Sequence, residues 1–179
     1  MGRNMVLIGI GQSGCTIADL SSHKMQSSEV CLRAIAMDTD ERTLADVCYA
    51  TAIPMVDSGD LNSVVEALGA ENIRSWFPCD WEQDHTYFAQ SLSMNQGSNQ
   101  WRMKALLAFA SFLSKEKSVG VFHEVLDQAL AESADNSIEL YVTASLAGGT
   151  GSGLFLPVAL YVKNILKARA VRFSLLRPC

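Results

Sequence analysis

The stretch Ser145-Leu146-Ala147-Gly148-Gly149-Thr150-Gly151-Ser152-Gly153 concentrates the groups best suited to holding an anion. Glycines let the backbone come close to a phosphate, and Thr150 and Ser152 add hydroxyl donors. The string lacks the Gly-Lys-Ser/Thr ending of a P-loop and is not a GxGxxG fingerprint. A second cluster, Gly11-Gln12-Ser13-Gly14-Cys15, follows the apolar run Val6–Ile10. A third, Gly97-Ser98-Asn99, offers good N-cap residues, and Arg102 brings a permanent cation close to that anion site. A fourth, Asp38-Thr39-Asp40, presents two alternating carboxylates, hard oxygen donors of the kind Mg²⁺ accepts. Each has a plainer alternative: a small-residue turn, a strand-to-helix turn, a solvated helix cap, or aspartates that only form a turn.

These segments need a frame that brings them together. Strand patterns run over Met5–Ile10, Val30–Met37, Ala52–Val56, Ile138–Ser145 and Val171–Leu176. Helical patterns fall at Ser13–Ser22, Glu41–Val47, Leu61–Leu68, Trp101–Leu113, Val121–Glu132 and Leu154–Lys167. In the Trp101–Leu113 helix the apolar stripe reads Met103, Leu106, Leu107, Ala110 and Leu113. Strands alternating with helices predict a three-layer, doubly wound α/β fold with a mainly parallel sheet. In such a fold ligands bind outside the carboxyl ends of the strands, where the proposed loops lie.

Taken in order along the chain, the four segments resemble the nucleotide loops of the tubulin/FtsZ superfamily, in particular divergent bacterial or phage relatives. Ala147 stands where the family's GGGTGSG loop has its first glycine, and the other positions match. The resemblance implies phosphate or nucleotide contacts from Gly11, Gln12, Ser13, Gly14, Cys15, Gly97, Ser98, Asn99, Arg102, Ala147, Gly148, Gly149, Thr150, Gly151 and Ser152. It implies Mg²⁺ beside Gln12, Asp38 and Asp40. Thr16 falls where many relatives read the base with Gln or Asn, which leaves base selectivity open. The implied activity is GTP/GDP binding, head-to-tail filament assembly, and hydrolysis at the junction between subunits.

Composition agrees with one domain over residues 1–179, at 49% hydrophobic and 18% charged. The net charge of −5 argues against a nucleic-acid-binding surface or a polybasic membrane patch. There is no stretch of transmembrane length and no cationic leader, so the expected location is cytoplasmic. Five cysteines without CxxC spacing speak against a zinc site or a disulfide framework, and Cys15, Cys31 and Cys48 read as small buried hydrophobes. The aromatics of residues 69–95 read as an excursion packed on the domain, with a partner surface as the alternative.

Family members continue with a ribose-contacting loop, a long central helix and an acidic hydrolytic loop, whereas this sequence ends at Arg177-Pro178-Cys179. The expectation is therefore a GTP-binding domain that neither hydrolyses nor polymerises as this short chain. It also implies a bare apolar face that drives homo-oligomer formation. The alternatives are a non-catalytic tubulin-like interaction protein and a dinucleotide-binding Rossmann protein, the latter suggested by Gly9-x-Gly11-x-x-Gly14.

Overall fold

The computed structural model describes residues 4–28, 30–55, 69, 97–98, 102–133, 137–169 and 172–175, and among these described residues the alternating patterns become five strands and five helices. The strands are β1 (Asn4–Ile10), β2 (Cys31–Asp38), β3 (Thr51–Pro54), β4 (Ser137–Ala144) and β5 (Arg172–Leu175). Between them come α1 (Gly11–Met25), α2 (Glu41–Ala45), α3 (Arg102–Leu113), α4 (Glu116–Ala131) and α5 (Gly149–Ala168). The sheet order is β3-β2-β1-β4-β5, and all four strand pairs are parallel. The doubly wound α/β expectation holds.

Strand alternation sends successive side chains to opposite faces, and the two faces are covered differently. Ile8, Ile35, Met37, Ile53, Ile138 and Leu140 belong to one large core that includes Phe109 and Phe112 of α3, Phe122 and Leu126 of α4, and Leu154, Val158 and Val162 of α5. Ala36, between Ile35 and Met37, joins a smaller cluster with Cys15 of α1 and Leu44 of α2. Helices α3, α4 and α5 thus cover one face, and α1 with α2 lies on the other. From β1 the chain moves toward β2 and β3, and from β4 it moves the other way to β5. The β1–β4 boundary is therefore the topological switch point, where the carboxyl ends of a parallel sheet open a crevice.

Three boundaries differ from expectation. Helix α5 begins at Gly149, so most of the glycine cluster forms the helix's first turn. Helix α1 likewise starts at Gly11. Helix α4 begins at Glu116 rather than Val121, because Glu116 suits a helix N-terminus and extends the pattern by more than a turn. The buried residues of α3 are Lys104, Ala105, Leu107, Ala108, Phe109, Ser111 and Phe112, while Met103, Leu106 and Leu113 pack only at its edge. The helical period was legible, but the phase was off by about one position. The helix expected at Leu61–Leu68 and the aromatics of residues 70–95 lie outside the described residues. Among the described residues no helix is long and apolar enough to cross a membrane.

Candidate functional site

Helices α1 and α5 start next to each other at the switch point. Gly11, at φ +73°, turns the chain from β1 into α1. A Cβ there would stand 3.2 Å from the Gly151 nitrogen, so the two helix starts are in direct backbone contact. A Cβ on Gly151 would lie 2.5 Å from the Ser145 carbonyl oxygen, which only glycine permits. Neither helix has a side-chain hydrogen bond capping its N-terminus, and neither carries an acid in its first turn. First-turn N–H groups have no intrahelical acceptor, and the helix dipole adds partial positive charge there.

An open cleft of about 240 Å³ lies in front of these helix starts. From α1 it is walled by Gly11, Gln12 and Ser13, and from α5 by Gly148, Gly149, Thr150 and Gly151. The end of β2 contributes Asp38 and Asp40, and Gly97 with Ser98 closes a third side. Ser145, the first residue of the glycine-rich stretch, also lines the cleft, as does Thr43, which had not been singled out from sequence. The Thr43 signal was weak: an isolated hydroxyl residue just beyond a strand end.

Three of the walls are joined by buried hydroxyls. Thr150 Oγ1 donates to Ser98 Oγ at 3.0 Å and pairs with Thr39 Oγ1 at 3.1 Å. The Gly97 N–H donates to the Thr39 carbonyl at 3.4 Å. Asp38 is 3% exposed, and its Oδ1 accepts from the backbone N–H of Thr39 at 2.7 Å and of Asp40 at 3.3 Å. Burial raises the Asp38 carboxyl above its ordinary value, against the opposing pull of those two amides. Asp40 Oδ1 caps α2 by accepting from the Arg42 N–H at 3.0 Å.

Other expected residues face elsewhere. Ser152 Oγ bonds back to the Gly148 carbonyl and receives Arg102 Nε at 3.2 Å, and neither side chain lines the cleft. Cys15 is 1% exposed, with Sγ directed at the carbonyls of Met37 (3.5 Å) and Gly9 (3.8 Å), behind the cleft wall. Burial, aided by the Asp38 charge, pushes its thiol up to about 12. Cys31 is half-buried and Cys48 exposed, which corrects the reading of both as buried hydrophobes: polar partners hold them near the surface, Glu132 for Cys31 and the Asp46 carbonyl for Cys48. Gly14 and Ala147 sit beside the cleft without lining it, and Asn99 lies outside the described residues.

Sequence reading missed Lys104. It is 3% exposed, and its Nζ donates to the Gly97 carbonyl behind the third wall. The signal was present: Lys104 sits three, four and seven positions before the buried Leu107, Ala108 and Ser111.

As an oxygen-donor set, the Asp38 and Asp40 carboxylates, the Gln12 amide and the Thr43 hydroxyl fit a hard divalent cation that keeps several waters or phosphate oxygens. No cluster of three or more His, Cys, Asp or Glu residues occurs among the described residues, so an all-protein metal cage is not formed there.

A family model described as tubulin-like matches residues 6–177. No curated protein matches the chain. Among solved structures, CetZ2 from Haloferax volcanii, determined as a GTPγS-bound protofilament, matches at a TM-score of 0.52 and 23% identity. The match covers 92% of this chain and 36% of that one, so the likeness is one of fold over a minor part of CetZ2. The glycine clusters, the parallel sheet with its cleft at the switch point, and a family match along nearly the whole chain lead to one conclusion: the protein belongs to the tubulin-like family of the tubulin/FtsZ superfamily.

Proposed function

We propose that residues 1–179 form a guanine-nucleotide-binding domain that holds the phosphates of GTP or GDP in the cleft at the β1–β4 switch point. The observation that carries this reading is the convergence of two uncapped, acid-free helix N-termini on one cleft. Backbone N–H groups of Gln12, Ser13, Gly149, Thr150 and Gly151 are the donors offered to the phosphates. The side chains of Thr150 and Ser98 brace the walls through their mutual bond. Asp38 and Asp40 set a condition on binding. A carboxylate about 6 Å from a phosphate charge repels it by roughly 3 kcal/mol at an effective dielectric of about 20. Gln12, Asp38 and Asp40 would hold Mg²⁺, which supplies the positive charge that makes the carboxylates compatible with the nucleotide. The choice of guanine rests on family membership and on the GTPγS in CetZ2.

Calorimetry with GTP, GDP, ATP and NAD, each with and without Mg²⁺, tests the reading. Binding of GTP and GDP in preference to ATP is expected. A folded sample that binds neither at millimolar concentration would overturn it, and binding of NAD alone would favour a dinucleotide protein instead.

The same reading extends to self-association, supported by the protofilament form of CetZ2 and by Leu146, 68% exposed beside the cleft. Sedimentation velocity is expected to detect species larger than the monomer, and a clean monomer with and without GTP would remove this part.

A further inference from the structure

A lysine buried to 3% exposure in an apolar helix face calls for a reason, because burying an ammonium is costly without a compensating charge or acceptor. Lys104 Nζ reaches the carbonyl of Gly97. Gly97, at φ +83°, rests against Asp40 on its other side: a Cβ there would meet Asp40 Cβ and Oδ2 at 3.6 Å. The Gly97 N–H is in turn fixed to the Thr39 carbonyl. Ammonium and carboxylate therefore flank the same residue, and that residue is a wall of the cleft. Asp40 Oδ1 is occupied by the α2 cap, which leaves Oδ2 toward Gly97.

We propose that Lys104 is a built-in counter-ion and positioning residue of the cleft: its ammonium holds the Gly97 wall against the Asp40 side and offsets part of the carboxylate charge before nucleotide or metal arrives. This rests on the nucleotide reading above for its consequence, but the counter-ion role itself is testable without nucleotide. Burial holds the Lys104 ammonium below its ordinary value, and the Asp40 charge opposes that pull. A resident positive charge has an opposite effect on each ligand. It helps an anion enter a cleft holding two carboxylates, and it competes with a divalent cation for them.

The test is Lys104→Met, which keeps length and removes charge, with Lys104→Gln as a second variant that retains a donor for the Gly97 carbonyl. GDP affinity in EDTA is expected to fall about tenfold in either variant, and by less than about threefold at saturating Mg²⁺. Mn²⁺ binding to nucleotide-free protein, read by electron paramagnetic resonance, is expected to tighten several-fold, and Lys104→Arg to restore both values. A merely packed lysine predicts equal loss of GDP affinity with and without Mg²⁺ and no tightening of Mn²⁺, and that result overturns the proposal. If wild type binds neither GTP nor GDP, the nucleotide reading fails alone, and the Mn²⁺ comparison still decides the counter-ion role. Should Lys104→Met not fold, Lys104→Gln carries the same comparison, and absence of tighter Mn²⁺ binding there counts against the proposal.

Discussion

Two kinds of helix start meet at this cleft, and they treat their free N–H groups in opposite ways. Helix α2 satisfies its own: Asp40 Oδ1 accepts from the Arg42 N–H, and Glu41 in the first turn complements the dipole. Helices α1 and α5 have neither device, and each begins on a glycine. A helix cap contributes about 1 kcal/mol of stability, so omitting two at adjacent ends is a local cost to the fold. The contrast is what the proposed anion site requires of α1 and α5, whereas α2 supports the wall that carries Asp38 and Asp40.

The largest expected effect comes from the contact that aligns the two uncapped helices. Gly151→Ala forces a Cβ to within 2.5 Å of the Ser145 carbonyl oxygen. It should cost about 1–3 kcal/mol in chemical denaturation and remove nucleotide binding. Gly148→Ala is its counterpart: nothing lies within 4 Å of its Cβ, and its backbone is already extended. Its stability should change by less than about 0.5 kcal/mol while nucleotide affinity falls, because Gly148 lines the cleft. If both variants fold and bind like wild type, the glycine cluster has no role in the site.

Giving α1 the acid it lacks is the next test. Gln12→Glu places a negative charge in the first turn, which should stabilise the ligand-free protein by about 0.3–1 kcal/mol. The same charge should weaken GDP binding in EDTA by about tenfold. Stability and affinity moving in the same direction would contradict an anion site.

Removing the cap that α2 does have is a smaller change. Asp40→Ala should cost about 1 kcal/mol or more, since it removes the α2 cap and also a charge that favours the Lys104 ammonium. Gln12→Ala removes no cap from α1 and should stay within about 0.5 kcal/mol of wild type. Equal losses in the two variants, measured by urea denaturation, would erase the distinction between the helix starts.

The smallest effect concerns Cys15. An uncapped helix N-terminus lowers a thiol's pKa, yet burial wins here and raises it from 9.0 to about 12. A folded value above the ordinary one means that the thiol's contribution to stability is intact below about 9 and is lost as pH rises toward 12. Alkylation in mildly alkaline buffer, followed peptide by peptide in a mass spectrometer, should modify exposed Cys48 and spare Cys15. Comparable rates at the two would show that the α1 start is more open than its burial indicates.

What could be read from the chain alone was what depends on near neighbours in sequence. Val6–Ile10 and Ile138–Ala144 declare strands, and Gly11–Gly14 and Gly148–Gly153 declare sharp strand-to-helix turns, because β-branched runs and glycine clusters act through local sterics. The order of those turns was enough for the parallel α/β class and for most of the cleft's walls. Which atoms face the cleft was decided by contacts between segments far apart in sequence. Thr150 turns its hydroxyl to Ser98 and Thr39, residues brought to it only by the folded sheet. Ser152 bonds back into its own helix, and Cys15 points at Met37, since α5 and α1 present a single rotational phase to the sheet. Lys104 is buried because α3 settles about one position away from the phase its apolar residues suggest. A helix's rotation about its axis is fixed by the surfaces it packs against, and sequence periodicity alone leaves that angle undetermined.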